Sequence, residues 1–296
     1  MEIYLGKKLP VAAALLLVVG VIVWFHFDQR SEGLVDSVPV YDVERSVRFR
    51  FVLNNQTSKP LRDPAVWAYA PVDVTSSQRV RELDYTGMAD EGTDEYGNRR
   101  LEFNIDYLPP RGTRTVSLKV RMKLASQPNR DTDTRQAGHY LQPESGIEID
   151  DPEIARLSSK LRTDDPIETA RAIHEWVAGN IEYSGYLRDA RGALYALRER
   201  KGDCTEYAML FTALARANGI PARVLGGYVV EGDAVLRARD YHNWAEFLID
   251  GRWHIADPQK RVFMDQYENY VAFKIITDGD EGRFGSLTEG LNVRML

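Results

Sequence analysis

Cysteine is almost missing from this chain: its 296 residues contain one, Cys204, so neither an intrachain disulfide framework nor a cysteine-based zinc site can be built. Histidine is scarce at five. The sequence has no His-Glu-x-x-His, no zinc-finger spacing and no EF-hand loop, and Asp131-Thr132-Asp133 or Asp278-Gly279-Asp280 alone is too little for a metal. No cofactor or metal is expected. Positive charge is not in excess either. A net charge of -6 argues against a nucleic-acid partner, which needs a basic face for phosphates. Long apolar runs are lacking with one exception, which excludes a multi-span membrane protein, while 28% charged and 44% hydrophobic residues exclude a disordered chain. At roughly 150 residues per domain the length corresponds to two domains, and no internal repeat is visible.

The exception is residues 9–27, which carry no formal charge and suffice for one helix across about 30 Å of hydrocarbon. Lys7 and Lys8 precede it and Asp28, Arg30 and Glu32 follow. This asymmetry predicts a cytoplasmic segment 1–8 and everything downstream outside, with Trp24, Phe25 and Phe27 at the outer interface. A cleaved signal peptide has a shorter apolar stretch, about 7 to 15 residues, ending in small residues. Phe25-His26-Phe27-Asp28-Gln29-Arg30 offers no such site. The expectation is an uncleaved single-pass anchor in the inner membrane, with the soluble domains on the periplasmic side. Exported cysteines there ordinarily pair, so a lone exported thiol calls for a reason, and catalysis is the strongest.

Residues 36–125 alternate with period two. Val47, Phe49, Phe51 and Leu53 interleave with Ser46, Arg48 and Arg50, Leu101, Phe103, Ile105 and Tyr107 with Glu102, Asn104 and Asp106, and Val116, Leu118, Val120, Met122 and Leu124 with Ser117, Lys119, Arg121 and Lys123. Such alternation predicts half-buried antiparallel sheet. With further strands at Val66 to Ala70 and Val80 to Tyr85 and turns at Asn54-Asn55, Tyr96-Gly97-Asn98 and Pro109-Pro110-Arg111-Gly112, about seven strands suit an immunoglobulin-like β-sandwich. That domain offers a surface to a protein partner but no evident chemistry. Residues 126–150, polar and poor in aliphatics, predict a solvated linker containing His139.

Within 151–296 the period becomes helical. Helices are expected from Pro152, from Pro166 with Ala170, Ile173, His174 and Val177 on one stripe, around Ala193 to Leu197, and over 204–218, closed by Gly219 and Pro221. Strands follow at Val224 to Val230, Trp244 to Ile249 and Arg252 to Ala256. Helices followed by antiparallel strands make an α+β domain.

Gly202-Asp203-Cys204-Thr205-Glu206 has the form of a capping box, with Asp203 as N-cap and Glu206 three residues on, which makes Cys204 the first helical residue. Unpaired backbone N–H groups and the helix dipole favour an anion there, both a thiolate and the oxyanion of a tetrahedral intermediate. A lone Cys is otherwise a small buried hydrophobe, so the reading needs a base. Asp250-Gly251 between two strand-like runs predicts a two-residue hairpin turn. Ile249 then faces Arg252, Trp244 faces Asp257 and His242 faces Gln259, so that His242, Trp244 and Asp257 share one side of the sheet. His254 pairs with Phe247 and points the other way, as a packed structural histidine. Nucleophile, base and orienting acid are the set that thiol catalysis requires.

These stretches resemble the transglutaminase-like superfamily, with its papain-like Cys, His and Asp core. The resemblance is carried by Gly202-Asp203-Cys204-Thr205-Glu206-Tyr207-Ala208, Ala217-Asn218-Gly219-Ile220-Pro221-Ala222-Arg223, Gly226-Gly227-Tyr228, His242-Asn243-Trp244-Ala245-Glu246 and Trp253-His254-Ile255-Ala256-Asp257-Pro258, and covers about residues 165–260. It implies Cys204 as nucleophile, His242 as general base and Asp257 as orienting acid. The chain departs from that pattern at Gln259, where many relatives have a small residue or Thr. No Gln precedes Cys204 by six residues or fewer, so a papain-type side-chain oxyanion donor is missing. The Tyr183 hydroxyl is a candidate substitute, though packing after a helix accounts for it equally. Trp244 is placed either in the substrate cleft or in the core.

The expected chemistry is thiol-dependent acyl transfer on amide bonds of a peptide or protein. Water as acceptor makes a peptidase or amidase, an amine makes a cross-linking transglutaminase, and a broken triad would mark a binding or scaffold protein instead.

Overall fold

The computed structural model describes residues 38–131, 137–278, 280 and 282–296. The expected anchor at 9–27 lies outside the described residues. Among those described, no helix is long and apolar enough to cross a membrane. Val40–Leu296 form one compact unit.

The first eight strands are β1 (Val43–Asn55), β2 (Leu61–Arg62), β3 (Val66–Ala70), β4 (Gln78–Tyr85), β5 (Met88–Thr93), β6 (Arg99–Asn104), β7 (Tyr107–Leu108) and β8 (Thr113–Leu124). Four helices follow: α1 (Pro152–Leu161), α2 (Pro166–Asn180), α3 (Ala193–Glu199) and α4 (Cys204–Ala217). Short β9 (Glu182–Tyr183) and β10 (Lys201–Gly202) flank α3. The remaining strands are β11 (Ala222–Val229), β12 (Ala234–Val235), β13 (Tyr241–Ile249), β14 (Arg252–Asp257), β15 (Val262–Phe263), β16 (Tyr270–Ile276), β17 (Phe284–Ser286) and β18 (Leu291–Met295).

The period-two residues of β1 and β8 behave as expected. Val47, Phe49, Phe51 and Leu53 are buried, and so are Val116, Leu118, Val120, Met122 and Leu124. The two strands pair antiparallel along their whole length and β4 extends the sheet beyond β8. A second sheet, in the order β17-β3-β6-β5, contributes Val66, Ala68, Leu101 and Phe103 to the same core.

Two expectations about the middle and end of the chain are revised. β17 pairs with β3, β18 pairs with the outer edge of β1, and β12 runs parallel to β1 beside it, so residues assigned to the 151–296 domain complete the sheets of 36–125. Open N–H and C=O groups on the β1 edge are thereby matched. Nor are the described residues of 126–150, 126–131 and 137–150, a solvated linker. Tyr140 is buried, Arg252 Nη1 donates to the Pro128 carbonyl at 2.7 Å, and Trp253 Nε1 donates to Asp131 Oδ2 at 2.8 Å. Arg216, buried on α4, takes Glu144 as its partner at 2.7 Å. A buried guanidinium requires such a counter-charge, and this holds the segment down.

The α+β expectation holds for the second half. Asp151 and Asp165 accept hydrogen bonds from the first turns of α1 and α2, each helix starting at a proline. Helix α4 is buried on nearly all sides, as its apolar sequence demands. It packs on an antiparallel sheet of order β15-β14-β13-β11-β16, with Phe211 against Phe247 at 5.8 Å between ring centroids. Each fully buried Phe or Leu here contributes about 1.5–3 kcal/mol, so the helix start is held against the sheet by a rigid core.

Candidate active site

The capping box at the start of α4 forms as expected. Thr205 N donates to Asp203 Oδ1 at 2.8 Å and Asp203 N donates to Glu206 Oε2 at 2.9 Å. Cys204 is the first residue of the helix and is half-buried. Gly202 is required, because a Cβ there would lie 2.4 Å from Glu206 Cβ. The second oxygens of the two acids reach outward: Leu187 N donates to Asp203 Oδ2 and Arg191 N to Glu206 Oε1, both at 2.8 Å. The segment 184–192 is thus pinned beside the helix start. Burial pushes the Glu206 carboxyl up, against the opposing effect of the two backbone N–H donors.

Tyr183 stands beside this point, because β9 and β10 pair with Tyr183 opposite Gly202. It is 54% exposed, and Tyr186, just before the Leu187 N–H that donates to Asp203, is 77% exposed.

On the facing element, Asp250 and Gly251 both adopt positive φ, 51° and 72°, as a type I′ turn requires. The register that follows is the expected one, with Ile249 opposite Arg252, Phe247 opposite His254 and Ala245 opposite Ala256. His242 and Asp257 meet on one side: His242 Nε2 donates to Asp257 Oδ2 at 2.6 Å. A carboxylate accepts only, so Nε2 carries a proton, and the neutral ring then has its lone pair on Nδ1. His254 lies on the other face, buried, its Nδ1 2.9 Å from the Tyr267 hydroxyl; burial, helped by the Arg252 cation, pushes its pKa down. Trp244 is core rather than cleft lining. It is 1% exposed and stacks behind the His242 ring at 6.5 Å and 20°.

Several partners were not foreseen. Tyr270 donates its hydroxyl to the same Asp257 Oδ2 at 2.9 Å, and Lys260 N donates to Oδ1 at 3.0 Å, so the buried carboxylate accepts three hydrogen bonds. Burial and then the Asp257 charge raise the Tyr270 phenol far beyond its ordinary range, so it remains a donor. His174 Nε2 lies 3.3 Å from the Asp257 carbonyl, and burial lowers its pKa. Asn243 Nδ2 donates to Thr205 Oγ1 at 2.9 Å. That bond joins the residue after Cys204 to the residue after His242. The thiol and the imidazole are each one residue from it. Tyr270 and Asn243 carry no local signal of their roles, since each meets its partner across the fold.

Chemically the arrangement offers a thiol at a positive helix end, an imidazole with its basic nitrogen turned from its carboxylate, and a carboxylate fixed by three donors. Among the described residues no group of His, Cys, Asp and Glu side chains is arranged to hold a metal ion.

Residues 155–258 match the Transglutaminase-like superfamily. Comparison with curated proteins gives no match. Among solved structures, a candidate cysteine protease from Cytophaga hutchinsonii superposes with a TM-score of 0.56 at 20% identity, over 86% of this chain and 92% of that one. The periplasmic domain of TgpA from Pseudomonas aeruginosa gives 0.41 at 18% identity, over 72% of this chain and 90% of that one. Together with the helix-and-sheet arrangement around Cys204, the family match identifies residues 155–258 as a transglutaminase-like domain.

Proposed function

We propose that Cys204, His242 and Asp257 act as a catalytic triad for acyl transfer on amide bonds of a peptide or protein substrate, with water as the acyl acceptor. The observation that carries this reading is the 2.6 Å contact between His242 Nε2 and Asp257 Oδ2 on the element clasped to the start of α4. His242 Nδ1 takes the Cys204 proton and Sγ attacks the substrate carbonyl carbon. The oxyanion is stabilised by the amino-terminal end of α4 and its backbone donors. Collapse breaks the C–N bond as the imidazolium protonates the departing amine, leaving an acyl group on Sγ. Water then attacks this thioester, giving its proton to His242 and releasing the acid and the free thiol. Asp257 keeps the imidazole in the required tautomer throughout.

Water is favoured over an amine acceptor because Tyr183, opposite Gly202, and Tyr186, next to Leu187, are exposed, whereas transfer to an amine needs water kept out. The Tyr183 hydroxyl is proposed as an additional oxyanion donor. The activity is that assigned to the Cytophaga hutchinsonii relative. We also propose that residues 9–27 anchor the chain in the inner membrane with the soluble part on the periplasmic side. The two-sheet unit is read as an immunoglobulin-like sandwich that can hold a protein partner. The uncharged run and its flanking charges support the anchor, and the shared core of the two sheets supports the sandwich.

The test is turnover of amide substrates by wild type and Cys204→Ala, with and without excess amine. Loss of activity in Cys204→Ala and free acid as main product are expected. Product dominated by the amine adduct would make the protein a cross-linking enzyme, and turnover surviving in Cys204→Ala would remove the thiol from the reaction.

A further inference from the structure

The hydrogen bond between Asn243 and Thr205 is an odd choice for packing alone. Both residues are buried, yet Asn243 Oδ1 has no hydrogen-bond partner among the described residues. An unmatched buried acceptor is unfavourable, and an apolar residue would avoid it. The amide also constrains its neighbour. Asn243 pairs with Gly226 across the sheet, and a Cβ at Gly226 would lie 2.9 Å from Asn243 Oδ1 and 2.2 Å from the Tyr241 hydroxyl. The chain thus keeps a half-satisfied amide and a bare glycine at one spot. The bond that the amide makes, 2.9 Å from Nδ2 to Thr205 Oγ1, ties α4 to β13 one residue from the thiol and one from the imidazole.

We propose that Thr205 and Asn243 are positioning residues whose hydrogen bond sets the separation between Cys204 Sγ and His242 Nδ1. The proposal rests on the triad reading above. Neither residue touches substrate; the pair acts by fixing a helix end against a strand end. Without the bond, α4 and β13 still pack through Phe211 and Phe247, so the fold persists while the two reacting groups lose their register.

The experiment compares iodoacetamide alkylation at pH 6 and thermal unfolding for wild type, Thr205→Val, Thr205→Ser, Asn243→Ala and His242→Ala. Cys204 is the sole thiol, so thiol alkylation, located by digestion and mass spectrometry, reports on it alone. Thr205→Val keeps the shape and removes the accepting oxygen; its alkylation rate is expected to fall roughly ten- to a hundredfold, the scale of a misplacement of about 1 Å. Thr205→Ser, which retains the hydroxyl, should stay near wild type. Where Thr205→Val does not fold, Asn243→Ala is read in its place. A folded Thr205→Val or Asn243→Ala reacting at the wild-type rate overturns the proposal, as does Thr205→Ser failing as badly as Thr205→Val. Failure of the triad reading is distinguishable: wild type itself would then react no faster than His242→Ala, and the proposal would fall with it.

Discussion

Asp257→Asn is the perturbation with the sharpest consequence. The carboxylate is 1% exposed and accepts from three donors: His242 Nε2 and the Tyr270 hydroxyl on Oδ2, and Lys260 N on Oδ1. An amide of the same shape offers one acceptor and one donor end, so neither orientation suits all three. With NH2 at the Oδ1 position it confronts the Lys260 N–H. With NH2 at the Oδ2 position it confronts the His242 N–H, and the imidazole resolves the conflict by moving its proton to Nδ1. The nitrogen meant to receive the thiol proton is then already protonated. Hydrogen bonds to a charged group contribute about 1.5–3 kcal/mol and an unmatched buried donor costs about 1–3 kcal/mol, so the variant should lose roughly 2–4 kcal/mol of stability. The wrong tautomer in a comparable Ser-His-Asp site lowers turnover about 10⁴-fold, and a loss of that order is expected here. Urea unfolding measures the first effect and Cys204 alkylation at pH 6, with turnover, the second. A folded Asp257→Asn that keeps its thiol reactivity within about threefold of wild type would refute the tautomer argument.

Three other outcomes are expected. Arg223 and Glu246 form a buried pair at 2.7 Å with the guanidinium 4.0 Å above the Trp253 ring, so Arg223→Ala should cost about 3–5 kcal/mol in urea unfolding by stranding the carboxylate; a loss comparable to a surface substitution contradicts this. Gly202→Ala should reduce both stability and thiol reactivity, because the new Cβ displaces the Glu206 arm of the cap; unchanged reactivity in a folded variant would show that the cap does not orient Cys204. The folded-state pKa values of His174 and His254 lie below the ordinary value of 6.5. The unfolded chain therefore binds protons first, and stability is full above about pH 6.5 and falls as the solution is acidified below it. His254→Asn, which replaces the group facing Tyr267 on the side of the sheet away from His242, should flatten part of that slope without altering thiol reactivity; a slope identical to wild type would exclude His254 as a contributor.

Features with local causes were legible in the sequence. Asp250-Gly251 dictates the turn, the turn dictates the register, and the register puts His242 and Asp257 on one face and His254 on the other. Asp203 and Glu206 dictate the start of α4 in the same way. Features that depend on a distant partner were not. Tyr270 belongs to β16, which joins the sheet beyond β11, and nothing in its own stretch of chain indicates Asp257. β17 and β18 are short, and the unfilled edges of β3 and β1, distant in sequence, decide which half they complete. Glu144 sits among residues of linker composition, and its burial follows from Arg216, which lies 72 positions further on. Polarity alone marked the segment as solvated; a buried guanidinium elsewhere overruled it.

Acyl transfer through Cys204 is tested most directly by intact-mass spectrometry of the protein quenched during turnover of an activated ester or amide, followed by digestion to locate the added mass. A covalent acyl group on Cys204 in wild type, absent from Cys204→Ala and not formed on the same timescale by His242→Ala, is the predicted result. Turnover that proceeds with no adduct and is undiminished in Cys204→Ala would contradict it.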